Sequence, residues 1–124
     1  MAETIEYDVH KDDYDMDVYQ GEDWECAMTY TDDSGVAVDL SGYTGKMEIR
    51  EKPGGSIMIT LASGSGITLN ASGEIGLELT HAQTAALDST QARYDLKLMH
   101  TSGSTITPLI KGNFNVTRQI TELT

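Results

Sequence analysis

Two stretches of strict alternation constrain this chain more than any other feature. In residues 92–99 (ARYDLKLM), Tyr94, Leu96 and Leu98 fall on one side and Arg93, Asp95 and Lys97 on the other. A turn-forming run, HTSGST, follows. In residues 110–117 (IKGNFNVT) the alternation returns, with Ile110, Phe114 and Val116 facing one way and Lys111, Asn113 and Asn115 the other. A period of two, broken by a Ser/Gly turn, specifies a β-hairpin with one dry and one wet face.

The rest of the chain keeps that cadence. Tyr14, Met16 and Val18 alternate with acids over residues 13–19. Trp24, Cys26, Met28 and Tyr30 alternate with Glu25, Ala27 and Thr29, after a tight connection at Gln20-Gly21. Asp32-Asp33-Ser34-Gly35 predicts a turn in which Asp caps the start and Gly supplies a positive φ. Met47 and Ile49 point inward from 46–51. Ile57, Ile59 and Leu61 share one face, and Ile75, Leu77 and Leu79 another. The one helical signal is Thr80-His81-Ala82-Gln83, which has the capping-box spacing and predicts a short helical turn near 81–87. Short strands with turns at this spacing predict an all-β chain, an immunoglobulin-like antiparallel β-sandwich. Tyr94 opens its strand just after the helical corner, as in the tyrosine corner of such sandwiches.

A chain of 124 residues makes one domain with a core large enough to fold without disulfides or metal. Residues 13–124 are assigned to that β-sandwich domain. Residues 1–12 are polar, lack a period, and are assigned to an N-terminal arm that orders on assembly. No apolar run approaches the length of a membrane span, and the N-terminus has neither the basic nor the apolar region of a signal peptide. The single cysteine, Cys26, cannot form an internal disulfide, which fits synthesis in a reducing compartment.

The net charge of −12 is unevenly spread. Residues 1–33 hold twelve acids and one base, and the remainder holds eight acids and seven bases. Nucleic acid is disfavoured as a partner, because phosphate affinity comes from clustered Lys and Arg. The acidic quarter either docks on a basic partner or only keeps the chain soluble.

Tests for chemistry fail in turn. Asp13, Asp15 and Asp17 have the spacing that opens a calcium loop, but the required Gly and Glu are replaced by Val18 and Trp24. Three carboxylates on one strand face also discourage edge pairing. His10, His81 and His100 form no ligand pair, and no cofactor is expected. Cys26 lies at an inward position with nothing nearby to lower its pKa. No Gly-x-Ser-x-Gly elbow or phosphate loop is present. The chain is therefore expected not to be an enzyme. Tyr43 either packs over the end of the sandwich or anchors an interface, since Tyr is enriched at hot spots. Asp13, Asp15, Asp17 and Tyr43 are the candidate interface residues.

A resemblance rests on a series of short segments. They are Tyr14 to Gln20-Gly21, Trp24, Asp33-Ser34-Gly35, Val38-Asp39-Leu40-Ser41-Gly42-Tyr43 and Met47-Glu48-Ile49-Arg50. Gly66-Ile67-Thr68, Ala82-Gln83-Thr84-Ala85-Ala86-Leu87, Tyr94-Asp95-Leu96 and Gly112-Asn113-Phe114-Asn115-Val116-Thr117-Arg118 complete it. In this order they resemble small β-sandwich virion proteins of tailed bacteriophages, including domains at the N-terminal ends of baseplate and tail-fibre proteins. The resemblance implies a non-enzymatic virion subunit, made in the host cytoplasm and present in several copies, whose partners are other virion proteins. It implies attachment or adaptor duty in the tail, baseplate or fibre apparatus. The fibre-bearing versions carry a stalk and receptor-binding region; this chain ends at Thr124, so the expectation is a stand-alone adaptor. Two further classes remain: a head decoration protein, which copy number separates from a tail part, and a carbohydrate-binding module. The last needs several exposed aromatics, for which Tyr7, Tyr19 and Tyr43 are the donors.

Overall fold

A computed structural model describes residues 4–8, 14–32, 34–87, 91–103 and 105–120. In chain order they form β1 (Thr4–Asp8), β2 (Met16–Tyr19), β3 (Trp24–Thr31), β4 (Tyr43–Arg50), β5 (Ile57–Ser63), β6 (Gly66–Leu69) and β7 (Glu74–Leu79). The helix α1 (His81–Ala85), β8 (Gln91–His100) and β9 (Ile106–Thr117) follow. The fold is nearly all β, with one short helix, as the alternation predicts.

Among the described residues, nine strands make one sheet in the order β1-β3-β7-β6-β5-β4-β8-β9-β2. The sheet curls over a single core into a nearly closed, sandwich-like barrel. The barrel draws together where β2, the last strand of the sheet, approaches β3, the strand next to β1 at the other end. The Trp24 indole N–H donates to the Asp17 carbonyl at 3.2 Å, and the Trp24 ring packs edge-on against Phe114 at 5.4 Å. The Gln20–Asp23 turn thus carries the chain across the seam rather than closing a hairpin.

The inner face is built by the alternating residues. Met47 and Ile49 of β4, Leu96 and Leu98 of β8, and Phe114 of β9 are fully shielded from solvent. Each such side chain contributes about 1.5–3 kcal/mol of burial. Cys26, Met28, Ile75, Leu77 and Leu79 close the core from β3 and β7. The Thr80 capping box forms as predicted: the Thr80 hydroxyl accepts the Gln83 N–H, and the Gln83 side chain accepts the Thr80 N–H. The Asp32 turn also forms, with the Asp32 carboxylate accepting the Ser34 and Val36 N–H groups and Gly35 at φ +81°.

Several details depart from the alternation. The first predicted strand starts at Met16; Asp13 lies outside the described residues. Five pairings are antiparallel, but β1 runs parallel to β3, β2 to β9 and β5 to β6. Ile57 faces outward, 47 % exposed, because the β4–β5 register slips at Ile49/Arg50 and sets Ile57 opposite Arg50. A second bulge lies in β9, which begins at Ile106, before the predicted run. Leu96 opposes Ile110 but Lys97 opposes Pro108, so Leu109 is the extra residue and both Leu109 and Ile110 are buried. Proline, with no N–H to give, is tolerated at such an irregularity. Within the expected arm, Thr4–Asp8 pairs with β3 from Ala27 to Thr31, while residues 1–3 and 9–12 lie outside the described residues.

The Tyr94 hydroxyl does tie back to upstream backbone, but to the Tyr14 carbonyl rather than to the neighbouring corner. Gly112, directly across from Tyr94, makes room for that strand. A Cβ there would stand 2.2 Å from the Tyr14 carbonyl oxygen.

Candidate functional site

The candidate residues do not converge on one point. Asp15 and Asp17 are exposed along β2 and its approach. The Asp15 carboxylate accepts the Asn113 N–H at 3.0 Å, and that of Asp17 accepts from the Asn115 side-chain amide at 3.1 Å. Both therefore fasten β2 to β9 and still present charge to solvent. Asp13, the third of the trio, lies outside the described residues. Tyr43 sits at the start of β4, half-buried against the core, with the His100 ring edge-on at 5.2 Å. Its ring is thus packed over the end of the barrel. Of the other aromatics considered, Tyr19 is exposed, and the side chain of Tyr7 lies outside the described residues.

The seam end of the barrel is closed by a polar knot. Thr84, the buried polar residue of α1, donates its hydroxyl to the Glu22 carbonyl at 2.8 Å and accepts the Gly21 N–H at 3.0 Å. Gln20 donates to the Leu87 carbonyl at 3.0 Å and accepts the Gln119 N–H at 3.2 Å. One turn, one helix and the strand leaving β9 are thereby fixed together. Next to them, the Asp23 carboxylate accepts the His81 N–H at 2.7 Å and meets the His81 ring at 3.0 Å. The His81 backbone bond, then the ring, hold the Asp23 carboxyl below its usual pKa. His81 and Asp23 therefore have a helix-capping task at this corner.

A second feature lies on the outer face of β4, β8 and β9. Here a groove of about 790 Å3 is lined by alternating charges. Lys46, Glu48 and Arg50 stand on β4, Arg93, Asp95 and Lys97 on β8, and Lys111 on β9. Arg50 grips Glu48 at 2.8 Å and the Gly55 carbonyl at 2.6 Å, which ties the 52–55 turn to the groove wall. That pairing with Arg50 lowers the Glu48 pKa. Met99 and Ile106, directly opposite each other, form an exposed apolar rim. Sequence reading placed these charges on the wet face of a hairpin; it did not join them to β4, because the β4–β8 pairing spans a long stretch of chain.

On β3 and β7 the outer face differs. Glu25 lies directly across from Glu78, and Ala27 across from Gly76. A notch of about 210 Å3 lies beside these rows, lined also by Gly66 and Thr68 of β6. Among the described residues, no three His, Cys, Asp or Glu side chains are grouped to hold a metal ion. No described helix is long and apolar enough to cross a membrane.

The fold has a structural neighbour of the same extent. The chain superposes on the "N-terminal domain of phage TP901-1 ORF48" with a TM-score of 0.60, covering 94% of this chain and 98% of that one, at 8% sequence identity. No family model matches the sequence. No curated protein matches it either.

Proposed function

We propose that this chain is a non-enzymatic structural subunit of a bacteriophage virion, serving attachment or adaptor duty in the tail, baseplate or fibre apparatus. The observation that carries the reading is the fold shared, almost end to end, with a domain of a phage protein. The sequence resemblance to phage virion proteins, carried by segments such as Gln20-Gly21 and Tyr94-Asp95-Leu96, points the same way. The side chains best suited to chemistry have structural work instead. His81 and Asp23 close the helix corner, His100 packs against Tyr43, and Cys26 is buried in the core. In this reading the exposed charge of the sheet faces serves protein contacts, with other virion proteins and further copies as partners.

Quantitative immunoblotting of purified particles of the encoding phage tests it. A tail or baseplate subunit appears at low, fixed copy number per particle. A decoration protein appears in far greater number and would move the assignment to the head. Absence from particles would overturn the reading.

A further inference from the structure

We propose that the β4–β8–β9 outer face is a docking surface for a second copy of this chain, which presents its β3–β7 outer face, so that copies join head to tail.

The groove concentrates positive charge in an acidic protein. Five of the eight Lys and Arg residues (Lys46, Arg50, Arg93, Lys97 and Lys111) line it, against the carboxylates of Glu48 and Asp95. That is a local excess of three positive charges in a chain of net −12. The arrangement is as telling as the count. Across β4 and β8, Lys46 is directly opposite Lys97, Glu48 opposite Asp95, and Arg50 opposite Arg93. Like charges directly opposite are destabilising. The carboxylates do reach the cations beside them: Lys46 approaches Glu48 at 3.6 Å and Lys97 approaches Asp95 at 3.8 Å. The surplus remains. Arg93 bonds the Asn113 amide oxygen rather than a carboxylate. Lys111 stands directly across from Asp95 on the neighbouring strand, but no close ion pair joins them among the described residues. The face therefore keeps a net positive charge outward, in two cationic rows on either side of the Glu48 and Asp95 row.

The β3–β7 face is its complement. Glu25 and Glu78 form a like-charged row of the same kind, with no cation bridging them among the described residues. Glu74 lies two side-chain rows further along, beyond the Ala27 and Gly76 row. Directly opposed residues on neighbouring strands keep their Cβ atoms about 4.5–5.5 Å apart on any sheet. A pair of glutamates on one copy thus matches a pair of cations on the next without rearrangement. Beside the glutamate row lies a notch lined by Ala27, Gly76 and Thr68, whose hydroxyl reaches over Gly76. The rim of Met99, 42 % exposed, and Ile106, 62 % exposed, supplies apolar area to bury at the edge of the contact.

The two faces lie on different strands, with β6 and β5 between them in the sheet. The contact is therefore heterologous, and such contacts generate rings or open chains of copies. At physiological salt the screening length is about 8 Å, so facing charges outweigh repulsion between whole molecules.

Sedimentation velocity of the full chain tests this at physiological and at high salt, over roughly 1–200 µM, which spans weak contacts of this kind. The wild type should associate as concentration rises, and high salt should dissociate it. Two reversal variants are then compared: Lys97→Glu/Lys111→Glu in the groove and Glu25→Lys/Glu78→Lys on the opposite face. The neutral variant Lys97→Gln/Lys111→Gln accompanies them, and circular dichroism reports that each is folded. Each variant alone should lose at least tenfold in association, and mixing the two reversal variants should restore it, because each then meets a complementary face on the other. A wild type that stays monomeric across the range overturns the proposal. So does association that survives both reversals, or folded variants that fail to rescue one another. A groove that instead takes a different acidic virion protein would leave the wild type monomeric in isolation. Loss of self-association with normal presence in particles would reject this contact while leaving the virion reading intact.

Discussion

The Tyr94 hydroxyl donates its hydrogen bond to the main-chain carbonyl of Tyr14, 80 positions earlier in the chain. The Tyr14 N–H in turn donates to the Lys111 carbonyl at 2.9 Å. One side chain of β8 therefore fixes where the chain enters β2, and β2 pairs parallel with β9 from that point. Tyr94→Phe keeps the ring, which packs edge-on with Phe114, and removes only the tie. The loss should be about 0.5–1.5 kcal/mol, the net contribution of a typical hydrogen bond. Chemical denaturation should show that drop with an unchanged slope.

Gly112 is the steric half of the same junction. Alanine there would drive its Cβ to within 2.2 Å of the Tyr14 carbonyl oxygen, so β2 must move off β9. The cost should be about 1–3 kcal/mol or more, the range for overpacked sites. Hydrogen exchange should show lost protection at Tyr14 and along β2, and little change in β4 and β5.

Thr84 holds the seam knot. Thr84→Val preserves shape but leaves the Glu22 carbonyl and the Gly21 N–H without their partner. Stability should fall by about 2 kcal/mol, while Thr84→Ser retains most of it. Thermal melts of the two variants side by side check this.

Acid should weaken the fold through lowered carboxylates. Asp23 is lowered by the His81 backbone bond, Asp39 by the Ser41 hydroxyl, and Glu48 by Arg50. A carboxyl whose folded pKa lies below its unfolded value binds its proton less readily when folded. Its stabilisation is present above the unfolded pKa, near 4, and is lost as pH falls through the folded one. Melting temperature should therefore be flat above about pH 5 and decline below it. Asp23→Asn should make that decline shallower, and a carbon-detected titration should place the Asp23 midpoint below that of an ordinary aspartate.

Much of this architecture is written locally. Tyr94, Leu96 and Leu98 face inward because side chains alternate on a strand. The Thr80 cap and the Asp32 turn form because their partners lie within four residues. What the sequence hides is register. The slip that exposes Ile57 and the bulge that buries Leu109 beside Ile110 come from pairing with a distant strand. The same holds for the surfaces. Along β4 and β8 the residues read as alternating signs, the ordinary pattern of a wet face. Only the cross-strand register, Lys46 opposite Lys97 on β4 and β8 and Glu25 opposite Glu78 on β3 and β7, gathers like signs into rows. Asp15 and Asp17 read as free surface charge, yet their Asn113 and Asn115 partners sit 98 residues away.

Removal of residues 1–12 separates folding from assembly. It deletes Thr4–Asp8, the terminal strand of the sheet, which pairs with β3. The truncated chain should fold and yet fail to enter particles. Normal incorporation would show that the arm has no assembly role.

The most direct test is immunogold electron microscopy of intact particles, with antibody against this chain. Gold at the tail tip, baseplate or fibre bases is the result predicted for a tail attachment subunit. Gold spread over the heads, or particles that carry none while the chain stays in the cell lysate, would contradict it.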